Sequence, residues 1–499
     1  MTIITTNPTT PVRERPQTKT YKAVILGGGI TGLSAAFYLQ KYATEQGLPL
    51  EITLVEKSDR LGGKVHSVRR EGFLIEKGPD SFLARKQPIL DLTRDLGMEQ
   101  QLVPTNPKAG STYIMNNGKL HQMPLGLVLG IPTRITPLIR TGLISPLGKA
   151  RALLDLLIPA GKVDTDEALG DFIQRRLGRE VLEQMTEPLL AGIYAGDTRQ
   201  LSLGATFPQF KQMERQHRSL IVGMARSMLR RPTTTKTTST PPKKSMFLSC
   251  EGGLSSIINE LEQQLSHVNM LKGTHAVQVK KHPGEAAFPY IVKLDDGKAL
   301  IADAVICTIP AYAAAELFQD IPHVSELKHI RYVSVANIAF GYRHDQLRQD
   351  FEGTGFLVPR KEGRTITACT WSSTKWNHAA PEGQTLLRTY IGRAGAEDWV
   401  TMSDDELVAA VRNDLRELIG FDAEPDLVEI SRCYHSMPQY PVGHQQMMER
   451  IHTAMQRWLP GISLCGAGYG GIGIPDCIQH GRESAEQLIQ SWNQQAVSL

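Results

Sequence analysis

Gly27-Gly28-Gly29-Ile30-Thr31-Gly32 and, 24 positions further on, Glu56 have the types and spacing to hold a dinucleotide. The glycines let the backbone approach a pyrophosphate, and a helix N-terminus behind them offers unpaired N–H groups and a partial positive charge. A carboxylate at the end of the next strand accepts from ribose hydroxyls, which is the role open to Glu56. The elements needed to position these groups are present in order. Lys22 to Leu26 is an apolar, strand-like run, and Leu33, Ala36, Phe37, Leu39 and Tyr42 follow at helical spacing. Gly47 and Pro49 end that helix, and Leu50 to Glu56 reads as the second strand.

Arg60-Leu61-Gly62-Gly63-Lys64 adds a second close backbone approach just past the acid. Further pieces of a nucleotide fold come much later in the chain. Met246 to Leu248 precedes a helix over about 254–265, His275 to Lys280 is strand-like, and Ile291 to Ala304 predicts a hairpin turning at Asp296-Gly297. Ala304 to Thr308 is an apolar strand stopped by Pro310. Gly461 to Cys465 then leads into the glycine-rich run 466–473, with Asp476 expected to N-cap a last helix to about Trp492.

The bulk numbers set limits. A chain of 499 residues exceeds one hydrophobic core, and 41% hydrophobic with 21% charged residues is ordinary globular composition. The net charge of +4 is too mild to call for nucleic acid and suits an anionic small molecule. Six cysteines without a C-x-x-C pair supply no metal spacing and suggest a reduced, cytoplasmic setting. Residues 1–20 are polar and lack a signal-peptide core, and Pro124 to Pro132 is too short to span a bilayer, which leaves a peripheral membrane contact open.

Arg60-x-Gly62-Gly63 after Glu56 resembles flavoproteins of the amine oxidase and protoporphyrinogen oxidase superfamily, which implies FAD rather than NAD. Glu76-Lys-Gly78-Pro79-Asp80-Ser81-Phe82, Glu187-Pro-Leu-Leu-Ala-Gly192-Ile-Tyr-Ala-Gly-Asp197, Ser436-Met-Pro-Gln-Tyr440 and Gly473-Ile-Pro-Asp-Cys477 are similar to blocks of porphyrinogen oxidases. The similarity spans about residues 21–495 and is nearest to the Gram-positive branch, whose members act mainly on coproporphyrinogen III.

The resemblance implies an α/β fold with a Rossmann-like FAD-binding domain, a mixed α+β substrate domain and a helical lobe of the membrane-associating type. Its boundaries would be 21–72, 246–306 and 442–499 for FAD, 73–104 and 307–441 for substrate, 105–222 for the lobe, and 223–245 for a linker with a low-complexity loop at 232–244. FAD contacts would fall on Gly27 to Gly32, Glu56, Lys57, Gly62, Gly63, Lys64 and Gly78, Pro79, Asp80 and Ser81. Val277 would touch the adenine side, and Ile472, Gly473 and Ile474 would line the flavin. Gly192 would lie against the macrocycle, and Lys86, with Arg85 beside it, would reach a propionate. Some relatives carry Trp where this chain has Cys433.

The implied chemistry is hydride loss from a meso carbon to FAD followed by loss of an N–H proton, three times, with oxygen as acceptor and hydrogen peroxide released. A tetrapyrrole is then the substrate, and a ferrochelatase the downstream partner. Asp80 either takes or orients a proton or merely shapes the turn after Pro79, and the residues alone leave both open. Lys86 could equally be a surface lysine, and Arg175-Arg176 are more distant candidate cations. Protoporphyrinogen IX is the alternative substrate. An amine oxidase would want an aromatic cage, for which Tyr440 and Tyr469 are the candidates, a carotenoid desaturase would want a long apolar tunnel, and a non-catalytic flavin or porphyrin carrier is the reading from a different class.

Overall fold

The computed structural model describes residues 19–497, apart from 125–126, 129–130, 133–134, 162–164, 230–244, 283–288 and 344–350. Most of the N-terminal tail and the low-complexity loop expected at 232–244 therefore lie outside the described residues.

Strand Tyr21–Leu26 is the centre of a parallel five-stranded sheet, because its residues are buried on both faces. Leu50–Glu56 and Asn269–Lys272 lie on one side of it, Ala304–Cys307 and Ile462–Leu464 on the other. Strands more than 400 residues apart in sequence thus share one sheet. Helices Ile30–Gln46 and Ile474–Val497 pack on one face, where Leu33, Leu39, Ile478 and Ile489 join one apolar cluster. They approach so closely that a Cβ on Gly481 would come within 2.4 Å of the Thr31 carbonyl oxygen. The other face is covered by the antiparallel hairpins of 276–302 and by helices Ala311–Leu317 and His444–Trp458.

A seven-stranded sheet forms the second layer, built around Tyr332–Arg343 paired antiparallel with Leu427–Pro438 and Gln384–Ile391. Helices between 135 and 229 make a third cluster around Phe172, Ile173, Leu182 and Phe210, into which Tyr440 is also packed.

Two boundaries differ from those expected. Thr112–Asn116 and Lys119–Gln122 are not helical but extend the seven-stranded sheet. Asn117-Gly118, at φ 51° and 69°, is the two-residue turn that pairs them, a signal the helical pattern of the surrounding segment masked. Helix Leu220–Leu229 runs past 222, so an ordered element occupies the first part of the expected linker.

Candidate active site

The glycine cradle forms at the carboxyl end of the central strand, where ligands bind in such sheets. Gly27 turns at φ 105° and its N–H donates to Val55 C=O at 2.8 Å. A Cβ on Gly32 would stand 1.9 Å from the Gly27 carbonyl oxygen, so helix and turn can meet only at glycine. Gly29 caps helix Ile30–Gln46 and has no side chain to satisfy the first-turn N–H groups. Those donors, with the macrodipole behind them, are available to an anion.

Glu56 accepts from the Gly28 N–H at 2.6 Å through Oε2 and from the Ser58 N–H and hydroxyl at 2.8 and 2.7 Å through Oε1. The carboxylate is thereby fixed beside the first loop. The Gly62 N–H donates to Gly28 C=O at 2.8 Å, which lays Arg60–Lys64 along that loop. Thr274 N–H donates to Glu56 C=O, bringing the segment that leads to exposed Val277 to the same end of the sheet. Lys57 is exposed there too. Uncapped N–H donors, glycines in close approach and an anchored carboxylate fit a dinucleotide.

Lys64 reaches the carbonyl of Ser436, which lies in a bulge where the register of Leu427–Pro438 shifts and His435 adopts φ 44°. The bulge releases a ladder carbonyl for the lysine. Cys433, where some relatives have Trp, is half-buried in the same bulge near Lys64, and burial pushes its thiol up.

The Gly78–Ser81 block crosses this floor. A Cβ on Gly78 would stand 1.8 Å from the Lys64 carbonyl oxygen. Its own carbonyl accepts from Arg388, a 3% exposed side chain that also donates to Asn337 Oδ1 at 3.2 Å and to the Tyr390 hydroxyl at 3.1 Å. Asp80 accepts from Ser81 Oγ at 2.6 Å and from Lys375 Nζ at 2.8 Å. Burial alone would raise its carboxyl, but Lys375 and Arg388 outweigh it and hold it well below the usual carboxylate range. Asp80 is therefore a permanent anion, suited to orienting groups and a weak base. Lys375, Arg388 and Asn337 were missed from sequence because no local motif marks them.

The glycine-rich loop closes the site from the other side. Tyr440 donates its hydroxyl to Ala467 C=O at 2.6 Å and accepts from the Gly471 N–H at 2.7 Å. Tyr440 is fully buried and Tyr469 is 6% exposed, with its hydroxyl on Ile309 C=O, so neither is available for an aromatic cage. Ile472 packs against the helical cluster and Ile474 against the nucleotide-sheet cluster, leaving Gly473 between them.

Asp476 lies within the first turn of Ile474–Val497 rather than at its cap, and its Oδ1 accepts from Lys86 Nζ at 2.6 Å. Lys86 therefore reaches the start of the last helix, just past the glycine-rich loop, while Arg85 is exposed. Gly192 is exposed on helix Glu187–Tyr194, and a Cβ there would meet nothing within 4 Å.

Arg175 and Arg176 are committed elsewhere. Arg175 pairs with Glu167 and Glu214, and Arg176 is fully buried on Asp155 Oδ1 at 2.6 Å and on four backbone carbonyl contacts. They hold the helical lobe together.

Comparison with known proteins agrees with this geometry. The model of the flavin-containing amine oxidoreductase family matches residues 30–489. The chain belongs to that family. FAD is its cofactor, and the chain is a flavin-dependent oxidoreductase. The family member is 46% identical over 466 residues to coproporphyrinogen III oxidase of Bacillus subtilis, covering 93% of this chain and 97% of that one. It is 37% identical to coproporphyrinogen III oxidase of Staphylococcus aureus, covering 94% and 99%. A solved structure from Exiguobacterium sp. 255-15, a candidate protoporphyrinogen oxidase, superposes with TM-score 0.82 at 37% identity, covering 95% of this chain and all of that one. Among the described residues no helix is long and apolar enough to cross a membrane.

Proposed function

We propose that this flavoenzyme oxidises coproporphyrinogen III to coproporphyrin III, removing six electrons in three two-electron steps, with oxygen as final acceptor and hydrogen peroxide as by-product. The observation that carries this is the Lys86–Asp476 bond at 2.6 Å, which ties the chain just past the Gly78–Ser81 block to the helix that follows the loop 471–474. The substrate follows from the likeness to the Bacillus subtilis enzyme over nearly the whole of both chains.

Bound FAD supplies the two-electron acceptor; the protein's residues bind, orient and exclude water. Gly192, bare of a side chain, leaves room for a flat macrocycle. Lys86 spends one donor on Asp476 and keeps others for a propionate. Asp80, held ionised by Lys375, fixes the Gly78–Ser81 block in place. Asp80 does not take the N–H proton, because its carboxyl is too weak a base.

Exposed Ile139, Leu147, Leu154, Leu156 and Leu157 give the helical lobe an apolar surface for a peripheral membrane contact. The product porphyrin calls for metal insertion next, so a ferrochelatase is the partner that the chemistry requires.

The deciding experiment is an aerobic assay of FAD-loaded protein on coproporphyrinogen III and protoporphyrinogen IX side by side, following porphyrin fluorescence and peroxide. Higher kcat/KM on coproporphyrinogen, with three peroxides per porphyrin, is expected. Preference for protoporphyrinogen would transfer the assignment to that substrate, and oxidation of neither would leave a carrier of flavin and porphyrin.

A further inference from the structure

Arg393 and Arg360 form a cationic pair beside the helix that carries Gly192. Arg393 is only 5% exposed, yet among the described contacts its guanidinium donates a single hydrogen bond, a long one of 3.4 Å from Nη1 to Val358 C=O. Arg176, as deeply buried, has all its nitrogens engaged. An enclosed guanidinium with spare donors can take a further acceptor.

Arg360 adjoins it. Its Nη2 donates to Ala394 C=O at 3.0 Å, which ties a second positive charge to the residue next to Arg393. Burial first and Arg360 second bring the Arg393 guanidinium down to about 10, with Glu187 opposing. Glu187 does not cancel the pair. Among the described residues no salt bridge joins it to either arginine, and burial raises its own carboxyl.

The pair has a definite place relative to the substrate helix. The Ala394 N–H donates to Ala195 C=O at 2.7 Å, at the helix end three residues past Gly192. Val358, which accepts from Arg393, follows strand Gly355–Leu357 on the sheet that this helix packs against. Their backbone contacts therefore lie by the C-terminal end of Glu187–Tyr194 and on the sheet that this helix packs against.

We infer that Arg393 and Arg360 bind a propionate of the substrate that protoporphyrinogen IX carries as a vinyl, and so set the choice between the two porphyrinogens. A carboxylate matches the planar fork of arginine, supplies the acceptors that Arg393 lacks and offsets the repulsion between the pair. A vinyl group can do none of this and leaves the guanidinium buried and unpaired, which is how a polar site rejects an analogue lacking the polar group. The assignment rests on the porphyrinogen substrate proposed above.

The test compares wild type, Arg393→Met and Arg360→Met on coproporphyrinogen III and protoporphyrinogen IX. One charge-assisted hydrogen bond lost predicts a KM for coproporphyrinogen raised about 10-fold or more in each variant, with kcat nearly kept. The KM for protoporphyrinogen should change less than about 2-fold, so the selectivity ratio collapses. Equal losses on both substrates, or none on either, overturn the inference. Arg360 is exposed, so its variant decides the matter if Arg393→Met fails to fold or to hold FAD. If wild type oxidises neither compound, the proposed reaction fails. Fluorescence titration with coproporphyrin III and protoporphyrin IX then still reads the pair, and variants that bind both as wild type does would refute its role.

Discussion

Lys375 Nζ lies 2.8 Å from Asp80 Oδ2, across 295 residues of chain, and neither side chain is more than 19% exposed. The ammonium comes from the short helix Ser372–Lys375 at the end of a sheet strand, and the carboxylate from the block under the cofactor cradle. The contact joins the seven-stranded sheet to the Gly78–Ser81 block beside the nucleotide-binding layer.

Asp80→Asn should separate orientation from proton transfer. Because the folded-state carboxyl lies below its unfolded value, the pair stabilises the fold at all pH above the unfolded carboxylate range. That contribution disappears only as pH falls through the folded value. Between pH 5 and 9 Asp80 therefore contributes no limb to the pH–rate profile. The variant should lose about 1.5–3 kcal/mol of stability and some turnover, with the profile keeping its shape. Loss of one limb in the variant would make Asp80 the proton acceptor instead.

Glu56→Ala should remove the anchored acceptor beside the first loop. FAD affinity is expected to fall at least about 10-fold, read as flavin lost on gel filtration and restored by excess FAD. Gly32→Ala should be more severe. Its methyl group has no room against Gly27, so protein without bound flavin, or insoluble protein, is expected.

Lys86→Ala should raise KM for coproporphyrinogen roughly 10- to 100-fold if the ammonium serves a propionate as well as Asp476. An unchanged KM would show that the lysine is fully occupied by Asp476 and acts only on the loop 471–474.

Arg176→Leu should strand Asp155 in the core of the helical lobe. Breaking a buried pair on one side costs about 3–5 kcal/mol, visible as a lower Tm or loss of soluble protein. Protein recovered at low temperature should keep its KM, because the Arg176 guanidinium is fully engaged within the helical lobe.

Much of the cofactor half was legible in the amino-acid sequence. Local rules suffice for it: a buried strand, glycines that alone tolerate the Gly27–Gly32 approach, a helix with its apolar stripe and an acid at the next strand end. The late strand at 462–464 could also be seen, since the glycine-rich run behind it is itself a local signal. Tertiary structure decided which charges do what. Arg175 and Arg176 look like free cations in sequence, yet packing gives them acidic and carbonyl partners. Arg393 carries no local signature, and only its burial with a single long hydrogen bond singles it out. Asp80 and Lys375 could not be paired in advance, because an ion pair depends on distance in space and on exclusion of water, and neither is written in the spacing along the chain.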